Sequence, residues 1–372
     1  MKLLTIYVSL LFLSFIFKRS KIVMVLDFIL MWIMMGWNYG SADYNVYVNR
    51  YIHPELYGTL EPFYSFLQNI SKGLGWQYPT FLIAMSGFAL LLRFVTISLL
   101  TDNVNEVIGL WMIFPFIADI NQVREFYATS ISFLGIAIFL KSGKTKRNLI
   151  IATALCFIAG LIHVSAFLYL ILLVPYFKRE KLEQFVNNDI APNIKSYLMV
   201  VGIIYILALS GVLSVVGNIL IGTKWSQTAE AASMAYTSKT FYFFEMILFF
   251  VLSEYILKNI LNNHNNLSLR QDRLVKWIYK SNVLLLSVLA FAVITPDIYR
   301  VQQEFAIFIY CASSYYPSII FNKRYFVTLN GVVVKLTVIY LAIVFLWLMC
   351  LAVPSLRDGV FIPAFYNNLL IN

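Results

Sequence analysis

Charge is scarce in this chain of 372 residues: Asp, Glu, Lys and Arg make up 12% of it, against 60% apolar residues. Soluble domains are about a quarter charged, so the composition excludes a soluble globular protein and leaves a polytopic membrane protein. Cysteine is nearly missing too. Cys156, Cys311 and Cys350 stand singly in apolar runs, with no CxxC and no histidine at metal spacing, which excludes a disulfide framework and leaves them as packing residues. The same scarcity leaves no metal site and no cofactor motif. No repeat relates the two halves, no low-complexity linker divides them and no soluble domain is attached, so residues 1–372 read as one transmembrane domain. The opening run MKLLTIYVSLLFLSFIF ends in KRSK rather than a small-residue cleavage site, and reads as a retained first helix with its N-terminus outside.

What is present is apolar stretches, at about 3–17, 22–38, 79–100, 105–118, 125–140, 149–162, 164–177, 197–217, 241–258, 277–295, 301–321 and 332–353. They predict an all-α fold of about twelve transmembrane helices. From Leu149 to Phe177 the only side chain that titrates near neutral pH in water is His163. As one helix that run would be about 44 Å long, well beyond a single crossing. It would also put KSGKTKR, from Lys141, and FKREK, from Phe177, in opposite compartments. A hairpin at His163 keeps every basic cluster on one side, and by the positive-inside rule that side is cytoplasmic. The net charge of +10 is then topological rather than a nucleic-acid footprint.

The outward side carries an interfacial loop at 38–78 and a second loop at 218–240. In the first, Ser41 or Asp43 can cap a short helix on which Tyr44, Tyr47 and Tyr51 share a face. Pro62 suits the first turn of another, with Phe63, Phe66, Leu67 and Ile70 as its apolar stripe. Both helices are expected in the outer interface. The tyrosines and Trp76 serve there either as an aromatic belt or as sugar-stacking rings. Asp43 and Glu61 lie beside them, each with a local alternative: a cap for Asp43, a helix-dipole contact for Glu61. Arg124 and Arg300 fall at outer helix mouths, where a charge beside hydrocarbon is usually paired or functional. Their local alternatives are ion pairs, Arg124 with Asp119 or Glu125 and Arg300 with Glu304 or Asp297. His163, Arg124, Arg300, Asp43 and Glu61 nevertheless converge on one outer level from different crossings. Arg93 and Lys335 are expected to snorkel to the cytoplasmic face, and His53 to be solvated.

The order GSADYNVYVNRY, LEPFYSFL, INQVREFYATSISFLGIAIFLKSGK, GLIHVSAFLYL and YRVQQEFAIF resembles the EpsG-like branch of the Wzy class of bacterial polysaccharide polymerases, over about residues 36–325. One departure is REFYATS, where that family more often has a small or glycine-containing stretch. The resemblance implies a GT-C-like, metal-independent membrane glycosyltransferase without cofactor, at the outer face of the bacterial cytoplasmic membrane. Its substrate would be an undecaprenyl-diphosphate-linked oligosaccharide, its surroundings membrane lipid, and its expected partner a chain-length regulator, with no nucleic acid.

The residues agree with that chemistry. A lipid-linked diphosphate suits outer arginines, and its sugars suit interfacial aromatics. Arg124 and Arg300 are the expected diphosphate clamp; Tyr44, Tyr47, Tyr51 and Trp76 the sugar-binding rings; His163, Asp43 and Glu61 compete for the role of base. An oligosaccharide ligase shares donor and chemistry and differs only in acceptor. A flippase or transporter would gather its charges at the midplane of repeated halves. A membrane O-acyltransferase would need a cytoplasmic thioester to reach the histidine.

Overall fold

The computed structural model describes residues 2–56, 61–141, 145–173, 202, 206, 239–262, 267–286, 288, 298–316 and 329–371. The chain divides into two compact units, Met1–Leu173 with Val338–Asn372, and Val174–Thr337. Among the described residues there are helices and no named strand, only an isolated antiparallel bridge between Asn38 and Asn368.

The first unit opens with α1 (Lys2–Ile16) and α2 (Lys21–Gly36), continues through the short α3 (Tyr44–Ile52) and α4 (Pro62–Gly73), and reaches the long α5 (Tyr78–Leu100). Then come α6 (Val104–Ile113), α7 (Phe116–Asn121), α8 (Val123–Lys141), α9 (Lys146–Ile162) and a 3₁₀ helix, Val164–Leu172. In the second unit α10 (Lys239–Asn262), α11 (Leu269–Leu285) and α12 (Tyr299–Ser314) pack against one another. The last long helix, α13 (Leu329–Leu346), precedes a chain of short turns to Tyr366.

Local chemistry explains where several helices begin. Ser20 caps α2 by accepting from the Val23 N–H, Thr145 caps α9 by accepting from Asn148, and Ser268 and Gln271 form a capping box on α11. Three described helices are long and apolar enough to cross a membrane: Tyr78–Leu100, Val123–Lys141 and Gly331–Leu351. The stretch 105–118 differs from the expected single helix. Pro115 has no N–H to continue the ladder, so α6 stops at Ile113 and α7 starts at Phe116. The stretch 197–217 and the loop 218–240 fall, but for Gly202, Ile206, Lys239 and Thr240, outside the described residues.

Close packing ties α8 to its neighbours. A Cβ on Gly135 would lie 3.0 Å from Leu155 Cβ and 3.2 Å from Ala152 Cα, so α8 and α9 touch nearly backbone to backbone. Against α5, Ser86 and Tyr127 exchange a hydrogen bond at 3.3 Å. Arg93 does not snorkel as expected: it is 0% exposed. Its guanidinium donates to Thr129 Oγ1 at 2.6 Å and sits 4.7 Å from the Phe133 ring centre and 5.2 Å from that of Phe126, so ring faces stand in for water. Lys335 is also buried, donating to the Ser313 carbonyl at 2.6 Å.

At His163 the chain reverses. In a continuous helix Phe157 and Phe167 would be about 15 Å apart along the axis; their ring centres are 5.5 Å apart. Gly160 makes room for this, since a Cβ there would meet Phe167 ring atoms at 2.4–2.6 Å. The returning arm is a 3₁₀ helix as far as Leu172 rather than an α-helix, and it packs Tyr169 edge-on against Phe133 of α8.

The end of the chain pins the start of the 38–78 loop. Ala42 N–H donates to the Gly359 carbonyl at 2.8 Å, Tyr39 N–H to Asn367 at 3.1 Å, and Asn38 Nδ2 to Pro363 at 2.8 Å. Gly40 turns the loop at φ +70°, where a side chain would be strained and its Cβ would press on Asn367. Farther along, α4 buries Tyr64, Gln68 and Ser71 and exposes Phe66 and Ile70. Its outward side presents Phe66 and Ile70 beside the exposed Asn69, with Phe63 and Leu67 partly covered, a mixed face of the kind that suits a membrane interface.

Candidate functional site

Glu61 occupies the N-cap position of α4, with Pro62 supplying the fixed φ of the first turn. Its carboxylate makes no cap hydrogen bond. It turns instead toward two guanidinium groups. Oε2 accepts from Arg50 Nη2 of α3 at 2.8 Å and from Arg124 Nη1 at the start of α8. On the other side Oε1 is 3.9 Å from His163 Nε2. Four segments, α3, the head of α4, the head of α8 and the end of α9, thus bring one anion and three basic side chains together. Two aromatic rings line the arginines: Arg124 stands 5.1 Å from the centre of Tyr47, and Arg50 lies 5.6 Å from the centre of Tyr64.

The electrostatics follow from this crowding. Burial pushes the Glu61 carboxyl upward, but Arg124, His163 and Arg50 together outweigh it and hold the group below its ordinary range, so it is an anion at neutral pH. Arg50 is drawn below its usual value by burial and by Arg124 beside it, with Glu61 opposing. The two like charges stay close only because one carboxylate lies between them. Such an arrangement leaves guanidinium donors oriented toward a shared anion position.

His163 ends α9 with an extended backbone, φ −147° and ψ 124°, which aims its ring off the helix axis. Its Nδ1 lies 2.7 Å from Ser165 Oγ, and that hydroxyl donates to Glu125 Oε1 at 3.0 Å. Glu125 therefore binds the turn after His163, and the expected local pair with Arg124 gives way to the longer-range bond to Glu61. Asp119 accepts from Trp111 Nε1 at 2.8 Å.

Asp43 is the N-cap of α3 but makes no cap bond with its side chain. Its carboxylate accepts from Asn121 Nδ2 at 3.2 Å, while its own N–H donates to Asn121 Oδ1 at 3.1 Å. The tyrosines of α3 differ in what they offer. Tyr47 is buried under Arg124, and Tyr51 is buried with its hydroxyl bonded to Ser71 and to the Trp76 carbonyl, both at 2.8 Å. Tyr44 is half-buried and packs edge-on against Tyr78, and the Trp76 ring is exposed. Arg300 belongs to the second unit, in the first turn of α12, with its guanidinium 5.9 Å from the Tyr299 ring centre. Asp297, one of its expected local partners, lies outside the described residues.

A family model described as the EpsG family matches residues 21–358. The chain belongs to the EpsG family. Comparison with curated proteins and with solved structures gives no match. Membership carries a polysaccharide polymerase-like function and a glycosyltransferase-like activity in a membrane protein. Within this EpsG-family chain, sequence reasoning missed Arg50, although a signal was present: it lies three residues after Tyr47, on the face already singled out for its tyrosines. Ser165 and Glu125 were missed as well. Only the reversal at His163 brings them together, and the run that marks the hairpin does not show which side chains meet across it.

Proposed function

We propose that this EpsG-family protein joins lipid-diphosphate-linked oligosaccharide repeat units at the outer face of the cytoplasmic membrane and releases prenyl diphosphate. The observation that supports this best is the buried carboxylate of Glu61 bridging Arg50 and Arg124 beside His163. A diphosphate can take the place of the carboxylate between two forked donors, since both anions offer paired oxygens. The outward face of α4 lies at the membrane interface beside it, where a prenyl tail would run. Trp76 and Tyr44 have ring surface to offer the sugars, while Tyr47 and Tyr51 hold the arginines and the loop in place.

In the reaction, a hydroxyl of the acceptor repeat attacks the anomeric carbon of the donor chain and its proton passes to His163 Nε2. The bond from that carbon to the diphosphate oxygen breaks, and the diphosphate departs with the electron pair onto the arginines. The leaving group is already weakly basic, so fixed cations suffice to stabilise its charge. His163 is preferred as base, because Asp43 is engaged by Asn121 and Glu61 by two arginines. Electrophoresis of surface polysaccharide from a deletion strain tests the reading. A polymerase deletion retains single repeats; unattached long polymer would mean a ligase, and repeats trapped inside would mean a flippase.

A further inference from the structure

Glu125, Ser165 and His163 form a chain of hydrogen bonds whose polarity is determined by its members. Ser165 has one hydroxyl proton, and it points at Glu125 Oε1, 3.0 Å away. Only lone pairs of Oγ then remain for His163 Nδ1 at 2.7 Å, so Nδ1 must be the nitrogen that carries hydrogen. We infer that Ser165 and Glu125 are positioning residues that hold His163 in its Nδ1–H tautomer and direct the basic Nε2 toward the Glu61 and Arg124 side of the site.

Three features support this. Glu125 is 2% exposed and follows Arg124 directly on α8, so the helix that presents the phosphate-binding arginine also anchors the base. Ser165 lies in the first turn of the 3₁₀ helix that starts after His163, so the reversal of the chain brings the hydroxyl under the ring. Nε2 faces the Glu61 carboxylate at 3.9 Å, and a proton arriving on Nε2 is therefore received beside an anion. The titratable and charged groups around the ring are Glu61 at the head of α4, Arg124 and Glu125 from α8, and Arg50 of α3 behind Glu61. The two carboxylates favour the imidazolium and the two arginines oppose it, so the charge on the ring answers to both signs.

The role of a base here rests on the polymerase reading above; the tautomer does not. The chain has three histidines, so nitrogen-15 spectra of histidine-labelled protein in detergent are simple, and subtraction of a His163→Asn spectrum identifies the relevant ring. Expected once the ring is neutral, read from a pH series, is a protonated Nδ1 and an unprotonated Nε2. Ser165→Ala should abolish the bias and Ser165→Thr should keep it. In polymer synthesis Ser165→Ala should lower turnover by about 10- to 100-fold, by analogy with the loss of groups that orient metal-bound histidines. The donor KM should stay unchanged, and threonine should restore turnover. An Nε2–H tautomer in the wild type, or one insensitive to Ser165→Ala, overturns the inference even if the protein polymerises normally. The expected tautomer in a protein that makes no polymer would instead defeat the polymerase reading and leave the positioning intact.

Discussion

Glu61 shows how a residue's local and long-range roles can part. Its position before Pro62 suggests a helix-dipole contact, yet its carboxylate bridges Arg50 and Arg124. Removing it leaves two neighbouring guanidinium groups with their shared anion gone, and breaking a buried ion pair costs about 3–5 kcal/mol. Glu61→Gln should therefore lower the apparent melting temperature in detergent at pH 7. Because the folded pKa of Glu61 is depressed, the stability it contributes is fully present above the ordinary carboxylate value of about 4.3 and is lost as pH falls through the lower folded value. The gap between wild type and Glu61→Gln should narrow in acid; a gap constant from pH 7 to the acid limit of folding would mean that the bridge contributes nothing.

Between elements, the sharpest feature is the reversal after α9, where Gly160 faces the Phe167 ring. Gly160→Ala should cut the yield of folded protein and its thermal stability, because the clash reaches Phe167 Cγ and the whole ring must move. Gly160→Ala with Phe167→Ala should recover part of the loss, by the usual logic of a coupled pair. Equal destabilisation by the single and double variants would show that the two do not meet. The reversal was legible beforehand, because an uncharged run too long for one crossing with a basic cluster on each side admits few arrangements. So were α3 and α4, from proline and helical spacing, although Asp43, expected to cap α3, bonds Asn121 instead. Their contacts were not. Arg124 pairs with a residue 63 positions away rather than with Asp119 or Glu125, and Arg93 finds three ring faces rather than water. Periodicity says which face of a helix is apolar, but not which helix covers it. The same limit applies to Arg50: its spacing from Tyr47 places it on the α3 face, but only the fold supplies Glu61 as its partner.

For the whole molecule, the positive-inside reading predicts sidedness. Cys156, Cys311 and Cys350 are buried and unbridged, so a cysteine-free background is a reasonable starting point. Cysteines placed at Ser142 and Lys181 should resist a membrane-impermeant thiol reagent in intact cells, whereas one at the exposed Gln77 should be labelled. Labelling at Ser142 or Lys181 would put His163 on the wrong side for an outer site. The central claim, that guanidinium geometry near Glu61 binds the diphosphate donor, is tested most directly by the length of polymer made in a deletion strain carrying Arg124→Lys. Lysine keeps the charge and loses the planar fork. The account predicts at least about a 10-fold loss of polymerisation, the equivalent of one charge-assisted hydrogen bond, with the variant present in the membrane at normal yield. Full-length polymer at wild-type abundance from Arg124→Lys would contradict it.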